Sequence, residues 1–271
     1  MTNYKTLDLE REDQVATVTI YPQEETMTEP GIDLHHDFAE AMTEIRSDNG
    51  IRVVVLEGQR DDGNFFLPPP ADFYVKHEDV ADYVMSADGS YRTFTHGIIR
   101  FHQSMAEMEK VIVAKVNGDV SALGMSMMLA CDLIVAVEDA EIVDIHLGVG
   151  ENPPGPEFGI VPGDGGCALV PLYMPPPLAK EFLMLGRPIS AQRMADMGII
   201  NYAVPEDELE ETVADIVARL LDRPAYALAW TKRVANRRVV DHLSKTLDAA
   251  AAYEMVNFLQ LETEGEQSHE F

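Results

Sequence analysis

The chain has 271 residues, 46% of them apolar, enough for a full hydrophobic core in one large domain or two small ones. Forty-seven acidic against 20 basic residues leave a formal net charge of −27, a surface that repels nucleic acid and anionic membrane. No basic, apolar leader opens the sequence and no apolar run approaches membrane-spanning length, so a soluble, cytoplasmic protein is expected.

In chain order, "YKTLDLEREDQVATVTI" reads as two strands around a polar turn at Glu10–Asp13. "DLHHDFAEAMTEI" follows as a helix with Leu34, Phe38, Met42 and Ile45 on one face. "RVVVLEG" is a buried strand over Val53–Leu56, closed by Gly58. After the Gly/Pro loop "DDGNFFLPPPADF", the segment to Glu109 reads as mostly helical. "VIVAKVNG" is a strand ending at Asn117–Gly118, "LGMSMMLACD" a helix and "LIVAVE" a strand. This alternation predicts βαβ units and a largely parallel sheet. From Pro175 the pattern is helical, with Leu209, Val213, Ile216, Val217, Leu220 and Leu221 on one face. The last helix, about 239–261, carries Leu243, Leu247, Ala250, Phe258 and Leu261 as its stripe. Cys131 and Cys167 lack metal-ligand spacing and read as reduced, buried thiols.

Four side chains invite chemistry. Glu254 lies four residues after Ala250 and four before Phe258, on an apolar stripe where a carboxylate is rare unless paired or functional. A salt bridge to Lys or Arg accounts for it as well as catalysis does. His35, three residues before Phe38, faces inward, whereas His36 faces Glu40 and solvent. His146 has the unperturbed pKa of a general base near neutrality. Asp164, inside "FGIVPGDGGC", is by composition a turn former. His96 and His102 read as structural.

The segment "VIVAKVNGDVSALGMSMMLACDLIVAVEDA", then "FGIVPGDGG" and "EFLMLGRPISAQRMADMGIINYAVP", resembles the crotonase (enoyl-CoA hydratase/isomerase) superfamily in order and spacing. The resemblance implies an α/β fold: a ClpP/crotonase-like ββα spiral core over residues 1–200 and a C-terminal helical trimerisation region over 201–271. It implies homotrimers or dimers of trimers as well. It also implies an oxyanion hole of two backbone N–H groups, which by position belong to Ala71 and Leu123.

Hydratases of the family use two glutamates. Ser126 stands at the first position, and the second falls near Gly155 or Pro156, with Glu157 beside them. The segment that usually meets CoA phosphates is "YPQEETMTEPG", with three glutamates and no base. A substrate other than a CoA ester is therefore expected.

"GIVPGDG" resembles the β-diketone hydrolase branch, of which 6-oxocamphor hydrolase is the type and which works without CoA. That resemblance makes Asp164 catalytic and places Glu254 and His35 on active-site positions. The branch's turn histidine corresponds to Gly124, which counts with Ala71 and Leu123 as substrate-binding. A further histidine aligns with Gly155, and His146 is expected to fill its role. The implied reaction is retro-Claisen hydrolysis of a small diketone, with no cofactor. One alternative is an acyl-CoA enzyme whose CoA phosphates meet Lys232, Arg233, Arg237 and Arg238. Another is a non-catalytic subunit.

Overall fold

A computed structural model describes residues 2–59, 63–70, 72–147 and 159–264, except for the side chains of 75 and 261–264. Ala71, Gly155, Pro156, Glu157 and the side chain of Leu261 lie outside that set.

The main sheet has six strands, in the spatial order β1 (Leu7–Glu12), β2 (Val15–Ile20), β3 (Val53–Gly58), β4 (Val111–Val116), β6 (Leu133–Val137) and β9 (Tyr202–Val204). A second sheet orders β5 (Val120–Ser121), β7 (Glu141–Val143) and β8 (Ile189–Ser190). Only β1 is antiparallel in the first sheet; β2 through β9 run parallel, as the strand–helix alternation predicts. Val53, Val54, Val55 and Leu56 are all buried, because a parallel strand is covered on both faces.

The first hairpin turns at Asp13, which has φ +51°, rather than from Glu10. Glu10, Arg11 and Glu12 belong to the strand: β1 is a sheet edge, and its outer positions are solvated. The region after Pro175 is not wholly helical. Strand β9 pairs with Val135–Val137, so the main sheet extends past residue 200.

The helix Leu34–Ser47 buries Leu34, Phe38, Met42 and Ile45, the expected face. Its N-cap is Asp33, whose carboxylate accepts the His35 N–H. The segment 72–107 is helical but divided, and Tyr91–Ile99 is a π-helix, a form concentrated at functional sites. The final helix, Arg237–Glu264, packs on the helix Gly166–Tyr173 and on the 91–107 segment. Leu243, Leu247 and Ala250 face that contact. None of the described helices is long and apolar enough to cross a membrane.

Candidate active site

Helices and loops, the final helix among them, enclose a cavity of about 370 Å³. Its wall is apolar (Phe66, Phe94, Ile98, Ile145, Ile160 and Phe258 contribute), and His35, His146, Asp164 and Glu254 open into it. All four side chains expected to do chemistry therefore converge, although they come from four separate segments. Leu123 lines the cavity too, while Gly124 lies behind Phe66, where a Cβ would collide with the phenyl ring. A histidine at Gly124 would require Phe66 to move, and Gly124 is not among the described residues that line the cavity.

Asp164 owes its place to the turn Pro162-Gly163-Asp164-Gly165. Gly165 has φ +133°, and a Cβ there would stand 2.5 Å from His102 Nε2. At Gly163 a Cβ would stand 2.6 Å from Glu254 Oε2, so the turn and the last helix can touch only through glycine. Two hydrogen bonds fix the segment: Ile160 N–H to the His146 carbonyl (2.8 Å) and Val161 N–H to Asn257 Oδ1 (3.1 Å).

His146 follows β7 in the tripeptide Asp144-Ile145-His146. The Asp144 carboxylate accepts both the His146 backbone N–H (3.1 Å) and ring Nδ1–H (2.9 Å). The other ring nitrogen, Nε2, lies 3.3 Å from Asp164 Oδ2. Asp164 Oδ1 in turn accepts from Ser126 Oγ at 3.3 Å. A neutral imidazole that donates through Nδ1 would turn a lone pair on Nε2 towards the carboxylate, so this contact requires a proton between them. Burial opposes the charge on His146, but Asp164 and then Asp144 outweigh it and hold its pKa well above the usual value. Burial would likewise raise Asp164, yet His146 beside it keeps that carboxyl low.

His35 repeats the same device. In Asp33-Leu34-His35 the aspartate accepts the His35 N–H (2.9 Å) and holds ring Nδ1 (2.7 Å), while Thr93 of the π-helix donates to its other oxygen. Burial disfavours the imidazolium, but the Asp33 charge and hydrogen bond, with the Asp164 charge, together outweigh it and raise the His35 pKa. The sequence carries the signal twice, as Asp-x-His at 33–35 and at 144–146, but Asp33 and Asp144 are missed when the histidines are read alone.

Glu254 is 5% exposed, and its Oε2 has no hydrogen-bond partner among the described residues. Burial, then the Asp164 charge, raises its pKa well above the usual carboxylate range. Burial in the cavity wall favours its neutral form, and no Lys or Arg among the described residues pairs with it. His102, expected to be structural, is fully buried behind the Asp164 turn and donates Nδ1–H to the Ile98 carbonyl at 2.8 Å. Burial pulls its pKa down to about 4, so its imidazole is neutral.

Backbone strain marks the remaining wall. Ala122, between β5 and the helix Leu123–Leu129, has φ +48° and ψ −124°, a conformation unfavourable for any residue with a Cβ. It turns the chain so that Ala122 and Leu123 both face the cavity. The helix's first N–H groups have no intrahelical acceptor, so the Leu123 N–H is available as an oxyanion donor.

Two other groups look capable of binding ions, and both are occupied by the chain itself. Lys232 is buried, paired with Asp132 (2.7 Å) and bonded to the Lys110 carbonyl, and Arg233 pairs with Glu109. Of the basic patch considered for CoA phosphates, Lys232 is thus internal, whereas Arg233 lies on the surface. His36, Glu40 and His96 bring ligand atoms within 4.8 Å of one another, but Arg100 Nη1 already bonds Glu40 Oε1 (2.5 Å) and His96 Nε2 (3.1 Å).

Two sheets wrapped by helices, with a helical C-terminal region packed against them, are the crotonase fold. The chain belongs to the enoyl-CoA hydratase/isomerase family, whose model matches residues 10–269. A carnitinyl-CoA dehydratase of Salmonella typhi is 28% identical over 205 residues, 75% of this chain and 71% of that protein. An enoyl-CoA hydratase/isomerase from Mycobacterium paratuberculosis superposes with a TM-score of 0.77 at 26% identity, covering 94% of both chains. A beta-diketone hydrolase from the cyanobacterium Anabaena sp. PCC 7120, bound to (S)-3-oxocyclohexyl acetic acid, superposes with a TM-score of 0.80 over 96% of both chains. At 22% identity that last likeness is one of fold.

Proposed function

We propose that the protein hydrolyses a C–C bond of a cyclic β-diketone by a retro-Claisen mechanism, giving a keto acid. The observation that carries this reading is the cavity itself. It gathers two Asp–His pairs, Asp164 and a neutral Glu254 within an apolar wall, and no Lys or Arg is among its described lining residues. Such a pocket suits an uncharged substrate and offers nothing to phosphate.

In this mechanism Asp164 orients a water, and His146, steadied at Nδ1 by Asp144, takes its proton as the water attacks one carbonyl. His146 must be neutral to do so, so the reactive form is the one that has released the proton shared with Asp164. The alkoxide is held by the Leu123 N–H, with Ala71 as the second donor. The alkoxide collapses and the bond to the central carbon breaks. The electron pair leaves as an enolate on the second carbonyl, where Glu254 and the His35 imidazolium donate hydrogen bonds. A proton from this pair to the carbon completes the keto acid. The substrates that fit are 2,2-disubstituted diketones, which cannot ionise at the central carbon and enter neutral.

The 28% identity to a carnitinyl-CoA dehydratase favours a second reading, a thioester substrate with Asp164 as acid/base. Against it stand Ser126, buried beneath Asp164, and the burial of Lys232 in its pair with Asp132. A trimer, or a pair of trimers, is part of the proposal. Tyr226, Trp230 and Val234 form an exposed stripe at i, i+4, i+8 on the helix Ala225–Ala235, Tyr226 being 78% exposed, as an interface between copies requires. The test offers the protein and its Asp164→Asn variant 2,2-disubstituted cyclic 1,3-diketones and, separately, enoyl-CoA thioesters. Ring opening by the wild type alone supports the proposal; turnover of thioesters only rejects it.

A further inference from the structure

Gln23, a polar side chain in the cavity wall, has no part in the chemistry above. Gln23 opens the short helix Gln23–Thr26 just after β2, in the acidic segment "YPQEETMTEPG". It is 5% exposed and lines the cavity. Its one hydrogen bond runs from Nε2 to the thioether of Met27 at 3.2 Å, and sulfur is a weak acceptor. Among the described residues no other hydrogen bond engages its amide, and its Oε1 is not one of the fully buried unpartnered atoms, so it is open to a group in the cavity.

The neighbouring polar groups are engaged. Thr93 bonds Asp33, and both histidine rings are held at Nδ1 by their own aspartates. A buried amide in an apolar wall is unfavourable unless something pairs with it, and an apolar residue of the same length would pack there at less cost.

We infer that Gln23 forms a hydrogen-bonding subsite for an oxygen on the substrate other than the two diketone carbonyls. A ring hydroxyl or ether is the chemistry it reads, the hydroxyl through Oε1 or Nε2, the ether through Nε2–H alone. The inference rests on the cavity being a substrate site, and its test does not depend on turnover.

The probes are 2,2-dimethylcyclohexane-1,3-dione and its 5-hydroxy and 5-methoxy derivatives, titrated calorimetrically into the Asp164→Asn protein with and without Gln23→Met. The Gln23 side chain should favour at least one oxygenated probe over the parent, and Gln23→Met should weaken that probe about tenfold while leaving the parent within about twofold. A structural glutamine would behave differently. Gln23→Met should also raise Tm, by roughly 2–4 °C for each kcal/mol of relieved burial. Equal affinity for all three probes, equal weakening of all three by the substitution, or no binding at all would overturn the inference. So would a fall in Tm with selectivity unchanged. Failure of the wild type to open any diketone ring, with the binding contrast intact, would reject the proposed reaction and leave the subsite standing.

Discussion

Replacing Glu254 by methionine should make the protein more stable and less active. The carboxyl is 5% exposed and carries an oxygen without a partner, and burial with the Asp164 charge outweighs the pull of the His146 cation on it. Leaving a polar group buried and unpaired costs about 1–3 kcal/mol, and methionine, unbranched and of similar length, removes that cost. The gain should also depend on pH. The folded-state pKa of Glu254 is raised above the ordinary 4.5, so between 4.5 and that raised value the native state binds a proton the unfolded chain has released. Wild-type stability from this group is therefore full below pH 4.5 and is lost as pH rises. The variant has no such loss, and its advantage should widen from pH 5 to pH 8. Differential scanning calorimetry across that range is the assay. A rise in Tm of at least about 2 °C at neutral pH is expected, because each kcal/mol moves Tm by roughly 2–4 °C in a chain of this size. A variant that melts lower than wild type, with a constant offset across pH, would mean that Glu254 is a structural ion-pair partner, and the argument from its bare oxygen would fail.

Asp164→Asn should move the titrations of both His146 and Glu254 to lower pH, since it removes the charge that stabilises the His146 cation and the charge that repels ionised Glu254; NMR titrations of the two side chains that coincide with those of the wild type would contradict this. Ala122→Gly should stabilise by up to about 2 kcal/mol, the strain of a positive φ less the added freedom of glycine in the unfolded chain, read as a higher urea midpoint at unchanged m. Lys232→Ala should cost about 1.5–3 kcal/mol, because Asp132 loses its ion-pair partner but keeps hydrogen bonds from Ile112 N–H and Asn236 Nδ2, read in the same way, whereas a lysine kept for CoA phosphates would leave the midpoint nearly still.

The parts of the fold with strong periodicity were legible in the sequence. Leu34, Phe38, Met42 and Ile45 repeat at helical spacing over more than three turns, and Val53–Leu56 is an apolar run bounded by polar residues. Strands β8 and β9, with two and three residues, are too short to show a period, and their pairing comes from Glu141–Ile142 and Val135–Val137. The edge strand β1 solvates its outer residues, so Glu10–Glu12 resemble a turn. Nor does composition separate a π-helix over Tyr91–Ile99 from an α-helix, since the two differ only in which carbonyl each N–H finds.

In the site, Glu254 stood out because a carboxylate on an apolar stripe breaks the helix's own pattern. Asp33 and Asp144 did not, because each reads as an ordinary cap or turn residue until its ring partner two positions on is seen bonded to it. The placement of His102 behind Asp164 depends on a glycine at 165, a contact between distant segments that no local pattern carries.

The central claim is that water, placed by Asp164, enters the substrate carbonyl and the C–C bond breaks. Its most direct test is mass spectrometry of a 2,2-disubstituted cyclic 1,3-diketone incubated with the protein in water labelled with oxygen-18, run beside Asp164→Asn. A ring-opened keto acid with one labelled oxygen placed in its carboxylate by enzymatic attack, absent with the variant, is the predicted result. An unopened diketone, with turnover of an enoyl-CoA instead, would contradict it.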